Sequence, residues 1–180
     1  MTHFLTLFQN SSTNVQKLVI IAKRSFRFEI LDLKFRPIKQ ITFFFSHNLK
    51  KLGEAVIKYN ADAGFATDPD GDRLAVVDEK GQPLSEDYTL TICADGFFNS
   101  TGSTKPLVTN LSSTMALDKV AENHGNSVIR SAVGEINVVN KMKEVGAELG
   151  GEGNGGVILP ESHYGRDSLE IGRASCRERV

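Results

Sequence analysis

Residues 107–159 read LVTNLSSTMALDKVAENHGNSVIRSAVGEINVVNKMKEVGAELGGEGNGGVIL, and one scheme repeats through them. A short apolar run, Leu107 to Thr109, leads to a helical period from about Thr114 to His124. That period is closed by Gly125, in the place where helices favour glycine. A second run, Ser127 to Arg130, passes through Val133-Gly134 to a helix of about Glu135 to Val145, closed by Gly146. A third, Glu148 to Gly150, enters the glycine-rich Gly151 to Gly156, and Val157 to Leu159 follows as a strand stopped by Pro160. Strands alternating with helices of this length predict an α/β layered domain with its ligands at the strand ends.

Working outward toward the N-terminus, Leu49, Leu52, Val56 and Ile57 recur at helical spacing with Asn48 as a candidate N-cap. Ala63 to Thr67 and Leu74 to Val77 read as strands flanking a loop, Asp68 to Arg73, and Asp78-Glu79-Lys80-Gly81 reads as a turn. Ser85 is placed to cap a helix of about Glu86 to Asn99.

The two ends differ in style. Residues 1–51 hold nine Lys or Arg against two acids, a balance of +7, with eight of the eleven Phe and none of the sixteen Gly. With a net charge of −1, the remainder therefore carries −8. Residues 1–47 are expected to be an unassigned, aberrant leader. At the other end, Ile171-Gly172-Arg173-Ala174-Ser175-Cys176-Arg177-Glu178-Arg179-Val180 resembles a translated sequencing adapter, so residues 170–180 are set aside as a scar.

Composition excludes several classes. Hydrophobic residues at 40% argue against wholesale disorder. The longest aliphatic run, Leu18 to Ala22, is far shorter than the roughly 20 residues of a membrane span. Cys93 and Cys176 lack the spacing of a disulfide framework or zinc site, which suits a reducing, cytoplasmic setting. Neither a membrane nor a nucleic acid is expected as partner.

Two segments carry chemistry. In Asp68-Pro69-Asp70-Gly71-Asp72-Arg73, carboxylates at alternate positions of a tight loop converge, and such an oxygen-only set suits a hard divalent cation such as magnesium. An EF-hand loop is the rival, with Glu79 at its twelfth position. It fails because Arg73 stands where the sixth position requires glycine, and strands flank the loop. A solvated acidic turn is the plainer alternative. The second segment, Gly151-Glu152-Gly153-Asn154-Gly155-Gly156, matches G-x-G-x-x-G formally, but a dinucleotide fingerprint must open a helix and this one leads into a strand. What is left is a backbone free of bulk presenting a carboxylate and a carboxamide, groups suited to adjacent sugar hydroxyls. His163-Tyr164-Gly165-Arg166-Asp167 adds an imidazole, the usual proton carrier near neutral pH, and a phosphate-pairing guanidinium.

In this order and spacing the segments resemble the α-D-phosphohexomutases, most closely the bacterial phosphoglucosamine and phosphomannomutase type. The matching text is Ala61 to Leu74, Thr109-Asn110-Leu111-Ser112-Ser113-Thr114, Val133-Gly134-Glu135, Gly150 to Gly156 and His163 to Ser168. The resemblance implies a four-domain, magnesium-dependent enzyme. In it a phosphoserine passes its phosphoryl group to a hexose or hexosamine phosphate, and the other phosphate of the bisphosphate intermediate returns to the serine. It further implies that Asp68, Asp70 and Asp72 hold Mg2+, that Arg73 steadies the phosphoryl group, and that Glu152 and Asn154 contact sugar hydroxyls. His163 is implied in proton transfer or substrate contact, with Arg166 beside it binding substrate. On this reading residues 48–82 are the C-terminal part of domain II and 83–169 a truncated, mixed-sheet domain III.

The departures are equally specific. Many relatives have serine where this chain has Asn154. The family's catalytic loop, Thr-Ala-Ser-His-Asn-Pro, is echoed only by Ser46-His47-Asn48-Leu49, too close to the cation loop to be its counterpart. Three readings follow: a fragment of a phosphohexomutase that is inactive alone, a non-catalytic sugar-phosphate or metal-binding module, or the product of a broken gene. The choice among glucose, mannose and glucosamine phosphates is left open.

Overall fold

The structure, a computed structural model, describes residues 19–22, 28–31, 46–68, 70–168 and 170–172. It is built on two sheets. The first has the order β2-β1-β3-β4 and is antiparallel throughout, with β1 Val19–Ala22, β2 Phe28–Leu31, β3 Ala63–Thr67 and β4 Leu74–Val77. The second has the order β6-β5-β7-β8, with β5 Leu107–Asn110, β6 Val128–Ser131, β7 Leu149–Glu152 and β8 Gly156–Ile158. There β5 pairs in parallel with β6 and β7, and β8 closes antiparallel on β7, so the sheet is mixed as expected. Helices α1 Ser46–Lys58, α2 Asp87–Thr101, α3 Ala116–Asn123 and α4 Glu135–Val145 complete the described elements.

Alternation along the strands decides the layering. Phe65, Leu74 and Val76 point to one face of the first sheet and join α2, while Ala66, Ala75 and Val77 point to the other and meet Leu49, Leu52 and Val56 of α1. The second sheet divides likewise. Leu107, Leu149 and Val157 face α2 and α3, and Val108 and Ile158 face Val138 and Met142 of α4. One core, running from Phe65 through Leu90 and Phe97 to Leu149, therefore lies between the two sheets, with α2 inside it. Burying both faces of each sheet under helices fits strands that read as continuous apolar runs.

Several sequence expectations need correcting. The helix opens at Ser46, so Asn48 lies within its first turn, and Ile57 is 63% exposed because the stripe from Leu49 to Val56 has already filled the helix's inner face. The N-cap position of α2 falls on Glu86 rather than Ser85 and carries no side-chain cap bond, while the Ser85 carbonyl accepts the Tyr88 N–H at 2.9 Å. The glycine closures hold, with Gly125 at φ 71° and Gly146 at φ 65°, a left-handed turn that a side chain would strain.

The ends also differ from expectation. Residues 1–47 were to be a leader foreign to the fold, yet β1 pairs with β3 across Val19–Ala66 to Ala22–Ala63 and brings β2 with it. Backbone pairing needs no glycine and little charge balance, so composition concealed these strands. The set-aside tail begins inside the domain: Ile171 is fully buried in the shared core and its carbonyl lies 3.6 Å from Cys93 Sγ. The remaining tail, residues 173–180, and the rest of the leader lie outside the described residues. Among the described residues no helix is long and apolar enough to cross a membrane.

Candidate active site

The acidic loop hangs between β3 and β4, and Asp68 holds it closed. Its Oδ1 accepts the backbone N–H groups of Asp72 and Arg73, each at 3.1 Å, and its Oδ2 accepts Arg73 Nε at 2.8 Å. With 1% of its surface exposed, Asp68 is a buried carboxylate satisfied by charge-assisted bonds. Gly71 takes φ 76° at the loop's tip, which lets the chain reverse so that Asp70 and Asp72 return toward Asp68. One carboxylate oxygen from each of the three then lies within 4.8 Å of the others.

These residues fit a hard divalent cation. The donors are all acceptor-only oxygens, and Asp72 Oδ1 is buried, 3.6 Å from Arg73 Nε, yet accepts no hydrogen bond. A buried acceptor without a donor is costly, and a cation bound between the three carboxylates would satisfy it.

The glycine-rich segment is the tight hairpin between β7 and β8. Glu152, only 4% exposed, is held at both oxygens: Oε1 accepts Asn110 Nδ2 at 2.8 Å and the Gly134 N–H at 3.1 Å, and Oε2 accepts Arg166 Nη1 at 3.2 Å. Asn154 folds back, its Oδ1 accepting the Gly156 N–H at 3.2 Å and its Nδ2 facing Glu152 Oε2 at 3.5 Å. Gly153 donates to Ser113 Oγ at 2.9 Å, and a Cβ at Gly153 would overlap the Asp87 carboxylate, which is why the hairpin can rest on the start of α2.

The two loops meet. The Leu74 N–H donates to the Gly155 carbonyl at 3.2 Å and the Ser168 N–H to the Gly71 carbonyl at 3.0 Å, while Arg166 Nη2 pairs with Asp72 Oδ2. Asp68, Asp70, Asp72, Arg73, Glu152, Asn154 and Arg166 are thus one locality. His163 is different: half-exposed, it pairs with Asp167 of its own segment at 3.4 Å. Glu86, at the start of α2, has its carboxyl pushed up by burial and by the neighbouring Asp87, against a smaller opposing pull from Arg73.

Sequence reading assigned no role to Asn110, Ser113, Gly134 or Glu135, which hold Glu152, the hairpin and Arg166 in place. All four lay in stretches already singled out, and an Asn at the end of a strand, followed two residues on by a pair of serines, was the available signal. Arg130 acts one layer further out, donating to the carbonyls of Asn110 at 3.2 Å and Ser113 at 3.0 Å and pairing with Asp118 at 2.5 Å.

Comparison with known proteins agrees with this geometry. Residues 12–81 match the family model described as phosphoglucomutase/phosphomannomutase, alpha/beta/alpha domain II, and residues 85–172 match domain III. The domain II match begins well inside the leader that composition had set apart. A phosphoglucomutase/phosphomannomutase of Thermococcus kodakarensis is 38% identical over 120 residues, covering 67% of this chain and 26% of that protein. A phosphoglucosamine mutase of Pelobacter propionicus is 38% identical over 119 residues, covering 66% and 26%. The crystal structure of a phosphoglucomutase/phosphomannomutase family protein from Burkholderia thailandensis superposes with a TM-score of 0.62 at 29% identity, covering 73% of this chain and 29% of that one. The chain thus spans about a quarter of the length of the curated relatives it matches. Two consecutive family models, met by two sheets in the corresponding order, place this chain in the phosphoglucomutase/phosphomannomutase family, of which it carries domains II and III.

Proposed function

We propose that these two domains serve a magnesium-dependent phosphohexomutase, an isomerase that moves a phosphoryl group between the C1 and C6 oxygens of a hexose or hexosamine phosphate through a phosphoserine. The observation that carries this reading is the junction of the acidic loop, taken as the cation loop, with the glycine-rich hairpin, taken as the sugar loop, through Leu74 on Gly155, Ser168 on Gly71 and Arg166 on Asp72. A phosphoryl transfer needs a cation and a sugar hydroxyl side by side, because positioning and charge neutralisation supply most of its rate.

Asp68, Asp70 and Asp72 would hold Mg2+, which when bound offsets the negative charge of the transferring phosphoryl group. Glu152 and Asn154 accept and donate hydrogen bonds to adjacent hydroxyls, with the Glu152 carboxyl held in place by its donors Asn110, Gly134 and Arg166. Arg73 lies beside the carboxylates that would hold the cation, where its positive charge can steady a phosphoryl group. His163 is the proton carrier nearest in sequence to these groups, and its half-exposed position lets it turn toward a bound sugar. The phosphoryl group leaves the serine for the free sugar hydroxyl, whose proton is taken up. In the second half the other phosphate passes to the serine and that hydroxyl is reprotonated. We assign neither the donor serine nor the grip on the resting phosphate to any described residue.

Calorimetric titration of the chain with Mg2+, and then with glucose, mannose and glucosamine phosphates, tests the reading. Mg2+ binding is expected to be lost in Asp70→Asn and sugar-phosphate binding in Glu152→Gln. Undiminished binding of both ligands by both variants would overturn it.

A further inference from the structure

Arg166 stands where the cation loop, the sugar loop and the start of α4 converge. Its Nη2 pairs with Asp72 Oδ2, its Nη1 lies 3.2 Å from Glu152 Oε2, and its Nε lies 3.3 Å from Glu135 Oε2. Its own backbone N–H also donates to Glu135 Oε1 at 3.2 Å. One guanidinium therefore lies within ion-pair distance of three carboxylates from three separate segments, although its buried Nε makes no hydrogen bond. The side chain is only 18% exposed, so these pairs are screened less than surface pairs. The sequence placed Arg166 beside the substrate; its surroundings point to different work.

We propose that Arg166 is a positioning residue that couples the cation site to the sugar loop. The proposal rests on the functional reading above in taking Asp72 as a cation ligand and Glu152 as a sugar contact. Arg166 stands in for a cation on Asp72. A divalent ion arriving at the triad competes for Asp72 Oδ2 and repels the guanidinium, whose remaining partners, Glu152 and Glu135, hold it on the sugar side. A sugar phosphate, being anionic, favours the guanidinium in that same position and so opens Asp72 to the ion. Each ligand therefore promotes the other, and by linkage the two effects are equal. Lysine cannot replace this fork, because a point charge does not span three carboxylates.

The test is Mn2+ affinity, read by electron paramagnetic resonance at fixed ionic strength, with and without glucose 1-phosphate, in the full chain and in Arg166→Met and Arg166→Lys. In the unaltered chain glucose 1-phosphate is expected to tighten Mn2+ binding roughly fivefold or more. Arg166→Met is expected to bind Mn2+ roughly tenfold tighter than the unaltered chain, because the competing charge is gone, and to show no effect of the sugar phosphate. Tighter binding is the diagnostic direction, since a merely structural loss would weaken it. Arg166→Lys retains a competing charge and is expected to bind Mn2+ about as the unaltered chain does, again without coupling; should Arg166→Met not fold by circular dichroism, this variant decides. Equal or weaker Mn2+ binding by a folded Arg166→Met, or coupling that survives in Arg166→Lys, would overturn the proposal while leaving the cation site standing. An Asp72→Asn chain with undiminished Mn2+ affinity would instead remove Asp72 from the site, and the coupling would fall with the functional reading.

Discussion

Asp68 and Asp70 belong to the same triad but not to the same kind of environment, and the difference can be measured. Asp68 gives its oxygens to two backbone N–H groups and to Arg73 Nε, whereas Asp70 is exposed at the loop tip. Asp68→Asn turns an amide donor toward donors, so it is expected to lower stability by about 1–3 kcal/mol as well as to weaken cation binding. Asp70→Asn, at an exposed carboxylate, is expected to weaken cation binding with a smaller loss of stability than Asp68→Asn. Urea denaturation in a chelator, beside the Mn2+ titration, separates the two. Glu86 offers a pH test. Burial raises its folded pKa, so its protonated form favours folding; that contribution is present below the ordinary glutamate range and is lost as pH rises through the raised folded value. Glu86→Gln does not titrate, so its stability relative to the parent chain should improve between about pH 4 and about pH 7. A stability difference that stays flat over that interval would show that Glu86 is not desolvated as described.

At the scale of elements, α1 is fixed against the turn after β4 by two glycines in contact. A Cβ at Gly53 would run into the Gly81 carbonyl oxygen, and both neighbours are backbone that cannot step aside. Gly53→Ala is therefore expected to cost about 1–3 kcal/mol despite alanine's better helix propensity. Gly146, at the end of α4, has open space around its Cβ position but φ 65°, so Gly146→Ala should cost only the left-handed backbone penalty of about 1–2 kcal/mol. Chemical denaturation of both variants checks the contrast. A Gly53→Ala chain as stable as its parent would mean that α1 does not pack on the turn.

For the molecule as a whole, the core between the sheets carries the main structural consequence. Leu90 of α2 is fully buried in the cluster that joins Leu74 and Val76 of the first sheet to Leu149 and Val157 of the second. Leu90→Ala is expected to destabilise by about 2–5 kcal/mol. If the core is shared, circular dichroism and tyrosine fluorescence should report one coincident unfolding transition in both chains. Two separated transitions would show that the sheets fold as independent units. As to chemistry, the chain by itself is expected not to interconvert glucose, mannose or glucosamine phosphates in a coupled assay with the bisphosphate activator added. Turnover abolished by Ser46→Ala would overturn this expectation by making Ser46 a real nucleophile.

The strands Ala63–Thr67 and Leu74–Val77, the helix Glu135–Val145 and its glycine stop were legible in the sequence, because residue period and the stereochemistry of glycine are local properties. The convergence of Asp68, Asp70 and Asp72 was legible for the same reason: alternate carboxylates in a short loop have little choice but to converge. The partners of those groups were not. Glu152 meets Asn110 from 42 residues away and Arg166 meets Asp72 across two sheets, and no local pattern records which carboxylate a guanidinium will reach. Nor did composition disclose that Val19–Ala22 would pair with Ala63–Thr67, or that Ile171 would fill the shared core. Strand pairing between distant segments is carried by backbone groups that every residue possesses, and burial is decided by what the rest of the chain leaves open, so both were settled only when the tertiary structure closed.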